Sequence, residues 1–201
     1  MPEPTQDKWL NFVIENYDDI QSMLEVYNFA KVNLPDHISS IVMDSINELK
    51  QTYFEENGLV VDTGDDCIYW YDKDIYDSDS EIGVFFEFDS ISIKDWKLIT
   101  PNTASDFVYF YLYINPEGKS KKLQSENIEK LQKKIREHKN ILEKNGIVVL
   151  PNSNDTKMLA HYYLNSVNIK ALQNPEKLKS DIQNAVQNFT TPILELLRLK
   201  F

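Results

Sequence analysis

The stretch that decides the fold is Phe107-Val108-Tyr109-Phe110-Tyr111-Leu112-Tyr113-Ile114. Its even positions hold Val, Phe, Leu and Ile, and its odd positions hold one Phe and three Tyr. An alternation with a period of two is that of a β-strand. The stretch therefore predicts a strand with one face in the core and a tyrosine row (Tyr109, Tyr111, Tyr113) on the other. The pattern leaves open whether a helix covers this row or whether it is exposed.

Four shorter stretches around this strand also have strand character. They are residues 59–61, 67–71 and 82–88 before it and residues 147–150 after it. Asn115-Pro116-Glu117-Gly118 is a turn sequence that closes the long strand. We therefore predict a sheet of four or five strands, formed by residues 59–114 and 147–150.

Two helices are predicted before the sheet. Apolar residues recur with a period near 3.6 over residues 9–32, which indicates a helix that Pro35 ends. Asp36 then serves as the N-cap of a second helix, whose apolar stripe covers residues 38–54. Asn57-Gly58 supplies a left-handed stop for that helix.

Further helices are predicted after the long strand. Residues 121–144 have a helical period and end at Asn145-Gly146. The tail is interpreted as helical again over residues 158–163 and 178–189, and Pro192 kinks the last helix or restarts it.

The order of these elements predicts an α+β fold. The strand–helix–strand unit of residues 107–150 would close by a right-handed crossover, which makes one strand pair parallel in a mixed, mainly antiparallel sheet. Two N-terminal helices, the long crossover helix and the C-terminal helices flank this sheet. We expect a core domain in residues 1–150 and a C-terminal helical extension in residues 151–201 that packs on it as one domain.

The composition restricts the function classes. The chain of 201 residues has one cysteine, Cys67, which excludes an intramolecular disulfide, and no run of 18 apolar residues. Met1-Pro2-Glu3-Pro4 lacks the basic and apolar regions of a signal peptide. The expectation is a cytoplasmic protein without a membrane segment. Five glycines are too few for a phosphate-binding loop in addition to ordinary turns.

No catalytic or metal-binding motif is recognisable. His37, His138 and His161 lie next to no nucleophile motif, and we assign them structural or surface roles. Residues 77–88 resemble a calcium loop at their first acids, but Ile82 replaces the required glycine and Phe88 the bidentate glutamate. We therefore predict no catalytic residue, no metal and no cofactor.

One enzyme alternative comes from the order of the elements. Helix, three strands, helix and strand resembles the core of PD-(D/E)XK nucleases, where Glu87 and Asp89 would bind a metal. The strand of residues 107–114 lacks the acid and the lysine that this family requires. The alternative is thus a degenerate or divergent nuclease of this kind, or its inactive relative.

Direct binding of nucleic acid is not expected. Residues 119–144 hold nine bases and four acids, but Glu126–Lys130, Glu129–Lys133 and Lys133–Glu137 are i, i+4 pairs of an ordinary solvated helix. The negative charge elsewhere would also repel a phosphate backbone.

That negative charge is concentrated in residues 55–89. Twelve acids and one base lie there, so this segment alone has the net charge of −11 that the whole chain has. Aromatic residues lie among these acids. Aromatic anchors surrounded by charge are typical of protein interfaces. The predicted partner-binding residues are Asp65, Asp66, Tyr69, Tyr71, Asp72, Asp74, Tyr76, Asp77, Asp79 and Glu81.

The sequence therefore favours a non-enzymatic acidic binding module. Its expected partner is a protein with a basic surface, such as a nucleic-acid-binding protein whose ligand the chain would mimic. Inhibitors, bacterial immunity proteins and phage anti-defence proteins often have this small, acidic, motif-poor character. A structural subunit of a larger assembly is the remaining alternative, and oligomerisation stays open.

Overall fold

The computed structural model describes residues 6–64, 67–72, 75, 82–89, 109–116, 121–151, 158–165, 167 and 171–199. Six strands are present in them: β1 (Leu59–Thr63), β2 (Cys67–Asp72), β3 (Ile82–Asp89), β4 (Tyr109–Pro116), β5 (Ile147–Val149) and β6 (Met158–Tyr163). These strands form one sheet in the order β1-β2-β3-β4-β6-β5, and every neighbouring pair is antiparallel. The predicted α+β class is confirmed.

Long helices flank this sheet at both ends of the described chain. The α-helices are α1 (Gln6–Glu15), α2 (Tyr17–Asn47), α3 (Lys121–Glu137), α4 (Lys139–Lys144) and α5 (Pro175–Arg198). A π-helical turn (Lys50–Phe54) follows α2, and a 3₁₀ turn (Ala171–Gln173) precedes α5. None of the described helices contains a stretch long and apolar enough to cross a membrane.

The predicted parallel strand pair is wrong. Strands β4 and β5 do run in the same direction, but β6 lies between them and pairs antiparallel with both. Residues 158–163, which form β6, were expected to be helical. The apolar positions of this short segment fit either period, and the hydrogen bonds to two neighbouring strands decide in favour of the strand.

The predicted helix boundary at Pro35 is also wrong. Helix α2 continues through Pro35, and its first residue follows Asn16, so Asp36 is an interior helical residue and not an N-cap. A proline removes one backbone hydrogen bond, while its fixed φ is compatible with the helix. The same holds for Pro192, which lies inside the continuous helix α5 rather than restarting it.

Two left-handed glycines end helical segments as the sequence predicts. Gly58 has φ +71° after the π-helical turn, and Gly146 has φ +78° after α4. A side chain is strained at such values, which is why glycine suits these positions. The predicted helix over residues 121–144 is present as α3 and α4, with a break at His138.

The core lies between one face of the sheet and helices α2 and α5. Alternate strand residues point into it, such as Trp70, Phe86 and Phe110. Phe189 of α5 contacts Phe86 and Phe110 at ring-centroid distances of 5.6 and 6.3 Å. From α2, only the C-terminal part from Ile38 onward contributes buried side chains. The core therefore joins α5 and the C-terminal part of α2 to the sheet.

Polar contacts fix the two helices on this face. The indole Nε1 of Trp70 donates to Thr190 Oγ1 at 2.9 Å, and both residues are buried. Lys179 of α5 forms an ion pair with Glu48 at the end of α2. An indole N–H needs a partner when it is buried, so the Trp70–Thr190 bond fixes the position of α5 over β2.

Candidate functional site

The opposite face of the sheet is lined by aromatic side chains. We call it the aromatic face, and it consists of Tyr69, Tyr71, Phe85, Tyr109, Tyr111, Tyr113, His161 and Tyr163. All eight side chains are half-buried. The tyrosine row of β4 thus lies opposite the core helices α2 and α5, as the alternation in the sequence predicts, and its residues are neither fully covered nor fully exposed.

The strand register brings these residues together. Tyr69 pairs with Glu87 on β3, Glu87 pairs with Tyr111 on β4, and Tyr111 pairs with His161 on β6. On the other side of Tyr69, its register partner on β1 is Asp62. Since directly opposite residues point to the same side of a sheet, one row crosses these five strands, with acids and rings alternating from Asp62 to Tyr111 and His161 following Tyr111.

The rings form two contacting groups. On β2 and β3, Phe85 lies 5.8 Å from Tyr69 and 5.4 Å from Tyr71, between ring centroids. On β4 and β6, Tyr109 lies 5.8 Å from His161 and 6.2 Å from Tyr163. Three of these pairs are edge-to-face and the Tyr109–His161 pair is tilted. Aromatic pairs at these distances stabilise each other, so the rings of the face support one another.

Two acids give the β1–β3 part of this face negative charge. Asp62 accepts a hydrogen bond from Tyr71 Oη at 3.3 Å, and Glu87 lies in the same row. Partial burial raises the pKa of Tyr69, and the negative charges of Asp62 and Glu87 raise this pKa further. Because negative charges contribute to this raised pKa, the Tyr69 phenol lies in a negative electrostatic potential.

Asp72 differs from the other predicted contact residues. It lies on the core side of β2 and is 3% exposed, and its Oδ2 accepts from Arg198 Nε of α5 at 2.6 Å. The same arginine donates through Nη2 to the carbonyl oxygen of Asn57. Asp72 therefore joins β2 to the end of α5, and a basic partner would have to compete with Arg198 for it.

Of the other predicted contact residues, the structure places Tyr69 and Tyr71 on the aromatic face. The remaining ones lie outside the described residues: Asp65, Asp66, Asp74, Tyr76, Asp77, Asp79 and Glu81. In the sequence, residues 65 and 66 connect β1 to β2, and residues 73–81 connect β2 to β3. These residues therefore remain predicted contacts in the two sequence segments that precede and follow β2.

His161 occupies an unusual position in the aromatic face. Its Nε2 is buried and has no hydrogen-bond partner among the described residues. Burial lowers the pKa of its imidazole from the usual 6.5, because a charged ring is poorly solvated there. The neutral ring lies 4.5 Å from Tyr163, between centroids. His161 is thus an aromatic packing residue in this sheet.

Among the described residues, no cluster of three or more His, Cys, Asp or Glu side chains could hold a metal ion. His37 lies on α2, His138 lies between α3 and α4, and Cys67 begins β2. These groups therefore belong to different elements, and the structural or surface roles of the histidines remain a prediction.

One further surface feature has no counterpart in the sequence reasoning. A cleft of about 310 Å³ lies between the end of β6 and α5, lined by Tyr162, Asn165, Asp181, Asn184 and Asn188 among others. Asn184 and Asn188 are four residues apart on α5 and therefore share one side of that helix. The i, i+4 spacing of these two asparagines is the sequence feature that could have indicated a shared polar surface. The cleft offers hydrogen-bonding amides beside the carboxylate of Asp181.

Comparisons of the chain with protein-family models, with curated proteins and with solved structures found no match in any of the three.

Proposed function

We propose that this protein is a non-enzymatic binding module that engages a basic surface of another protein. The observation that supports it is the β1–β3 part of the aromatic face, where Tyr69, Tyr71 and Phe85 lie beside Asp62 and Glu87. Rigid aromatic rings provide contact energy at a low entropic cost. The carboxylates between them attract Lys and Arg side chains and select against acidic partners.

The acids of the two sequence segments that connect β1 to β2 and β2 to β3 are included in this proposal. Residues 65–66 and 73–81 hold Asp65, Asp66, Asp74, Asp77, Asp79 and Glu81, which are part of the proposed contact. Negative charge of this density accelerates the encounter with a basic protein, and the acceleration decreases as salt is added. Asp72 belongs to the proposed set through its position at the end of β2, although it also holds α5 in place.

A nucleic-acid-binding protein is the partner class that fits this surface best. Such a protein presents Lys and Arg side chains at the spacing of phosphates, together with groups that stack on bases. Carboxylates can replace the phosphates in contacts with its Lys and Arg side chains, and aromatic rings can replace the bases in stacking contacts. Under this proposal the chain acts as an inhibitor that competes with the nucleic acid, as immunity or anti-defence proteins do.

The first test measures capture and its salt dependence. The full chain is immobilised and exposed to host extract at low and at high salt, and a captured protein is then purified for kinetics. We expect the association rate constant to fall steeply with salt for the parent chain. In Asp74→Asn/Asp77→Asn/Asp79→Asn, the rate constant at low salt should be about tenfold lower and its salt dependence flatter.

A matched control separates local from global charge. The variant Glu15→Gln/Asp18→Asn/Glu25→Gln removes the same number of charges from exposed positions of α1 and α2. It should retain the association rate of the parent chain within about twofold. Equal slowing in both variants, or an unchanged salt dependence in the first, would contradict a contact at the acidic connections.

The rings are tested through the dissociation rate. Tyr69→Ala and Tyr71→Ala remove contact area without changing the net charge, so each should raise the dissociation rate constant about tenfold. Tyr163→Ala lies on the same face but on β6, away from Asp62, and serves as the control. An effect of Tyr163→Ala equal to that of Tyr69→Ala would shift the contact away from β1–β3.

The nuclease alternative remains a prediction with a simple test. Glu87 is half-buried on β3 and points to the aromatic face, between Tyr69 and Tyr111 in the register. The chain is incubated with DNA and RNA in the presence of Mg²⁺ or Mn²⁺. Cleavage that Glu87→Gln abolishes would overturn the non-enzymatic proposal.

A further inference from the structure

The N-terminal part of the helical chain has no buried side chain. We define the N-terminal arm as residues 8–37, which comprise most of α1 and the first two thirds of α2. The first buried side chain after its start is that of Ile38. Helices α1 and α2 are interrupted at Asn16, but the backbone hydrogen bonds from Asn16 N to Phe12 O and from Ile20 N to Asn16 O continue across it. At 1.5 Å per residue, the 30 residues of the arm contain about 45 Å of helix. The arm is therefore attached to the core only at its C-terminal end, among the described residues.

The arm is nevertheless rich in apolar residues. Twelve large apolar side chains between Trp9 and Val32 are between 41% and 71% exposed. An aromatic side chain buries about 150–250 Å² when it is fully covered, so the apolar surface of the arm is on the order of 1,000 Å². A typical monomer has an exposed apolar patch of about 300–600 Å², and a stable dimer buries about 800 Å² from each partner. The arm thus has the surface of an interface.

Five of these twelve side chains, together with Ile20, follow a heptad pattern. Two series of residues spaced by seven interleave as the a and d positions of a coiled coil: Leu10, Tyr17 and Leu24 at a, and Val13, Ile20 and Tyr27 at d. Lys31 and Leu34 occupy the next a and d positions. A strict repeat of 3.5 residues is the pattern with which helices pair along a continuous seam.

We propose that two copies of this chain dimerise through their N-terminal arms as an antiparallel coiled coil. A seam of this kind is complementary to itself, because knobs at a and d fill holes formed by the same residue types on an identical helix. The arm has five acids and two bases. It therefore has little attraction for an anionic membrane surface, whereas a second arm offers matching apolar area.

Lys31 decides the orientation of the two arms. In a parallel pair, a positions face a positions, which places the two Lys31 ammonium groups opposite each other inside the seam. In an antiparallel pair with full overlap, a faces d, and Lys31 faces Val13 of the second copy. Tyr17 then faces Tyr27, and Ile20 faces Leu24. The antiparallel arrangement also places the two acidic cores at opposite ends, which lowers their mutual repulsion.

The oligomeric state of the full chain is the primary test. Sedimentation equilibrium should give twice the chain mass of 23.5 kDa for the parent protein. Tyr17→Glu/Leu24→Glu places four carboxylates in the seam of the dimer and should raise its dissociation constant by about a hundredfold or more. These residues are exposed and do not contribute to the core, so the unfolding of the core should stay close to that of the parent chain.

A control variant adds the same charge outside the seam. Val26→Glu/Phe29→Glu changes two exposed apolar residues at the c and f positions, which point away from a second arm. This variant should remain dimeric. A monomeric parent chain, or dissociation to the same extent in both variants, would overturn the proposal. So would saturable binding of the parent to anionic lipid vesicles that Tyr17→Glu/Leu24→Glu abolishes.

Cysteine cross-linking tests the orientation. In a Cys67→Ser background, Val13→Cys/Lys31→Cys should form a covalent dimer on mild oxidation, because the two positions face each other in the antiparallel pair. Val13→Cys alone should not, since its own copy lies at the far end of the seam. A covalent dimer of Val13→Cys alone would show a parallel pair and contradict the antiparallel arrangement.

Discussion

The N-terminal arm and helix α5 are two long helical segments with opposite surroundings. Both have a helical apolar period and an internal proline, Pro35 at the end of the arm and Pro192 in α5. In α5 the apolar side chains lie on the core face of the sheet and ten residues are buried, whereas no residue of the arm is buried. Apolar periodicity therefore predicts a helix in both cases but burial in only one.

The difference lies in what each helix can contact. Phe189 of α5 meets Phe86 and Phe110 because adjacent strands present rings on the core face. The arm precedes the core, and none of its side chains is buried. Most of the stability of a helix in a protein comes from packing rather than from intrinsic propensity. The arm is thus the segment whose helix depends most on a contact outside the described chain.

The largest expected effect on stability is the loss of a ring from α5, compared with the loss of a ring from the arm. Phe189→Ala leaves a cavity at a position that is 0% exposed and should lower the free energy of unfolding by about 3–5 kcal/mol. Phe29→Ala changes an arm residue that is 70% exposed and lies outside the proposed seam, so it should cost less than about 0.5 kcal/mol. Urea unfolding at one low protein concentration measures both. Similar losses would contradict the contrast between the two helices.

A smaller effect is expected at the polar attachment of α5. Arg198→Met removes the partner of Asp72 and the contact with the Asn57 carbonyl, and it should cost about 1–3 kcal/mol. The arginine is itself partly exposed, which limits the loss. Lys133→Met on α3 is the control, because its ammonium group pairs with Glu137 in the same helix and both side chains are exposed. Urea unfolding in which Lys133→Met is as destabilising as Arg198→Met would contradict a specific role of the Asp72 pair.

The smallest effect concerns His161 and appears in the pH dependence of stability. Burial keeps the pKa of His161 in the folded protein below 6.5, so the unfolded chain takes up this proton first as the pH falls. The free energy of unfolding should then decrease between about pH 7 and about pH 5. In His161→Gln this decrease should be smaller.

His37→Gln on the arm is the matched control, because His37 is exposed on α2. Urea unfolding at several pH values provides the measurement for both variants. If the slope against pH is the same in His161→Gln and in the parent chain, the imidazole is not shielded from water as the structure indicates.

The local pattern predicted much of the sheet. The alternation of residues 109–114 placed Phe110, Leu112 and Ile114 in the core and the tyrosines on the opposite face, and both placements are confirmed. Residues 158–163 escaped prediction because Met158, Leu159 and Tyr162 suit a helix as well as a strand. Their pairing with β4 and β5 selected the strand, and that pairing depends on residues far away in the sequence.

For the candidate site, alternation placed Tyr69 and Tyr71 on one side of β2, and the structure confirms this. The sequence could not predict that Glu87 and Asp62 flank Tyr69, because strand register sets that row. It also could not predict the pairing of Asp72 with Arg198, since 126 positions separate the two residues.

The sequence by itself determined the types of most elements, the two glycine stops and the concentration of negative charge in residues 55–89. Periods of two and of 3.6 residues are local properties, and so are the left-handed conformations that Gly58 and Gly146 adopt. Only the tertiary structure decided that β6 lies between β4 and β5, that α5 is buried and that the arm is not. The reason is that a period states which side chains share a face, whereas burial requires a second surface that the rest of the chain has to provide.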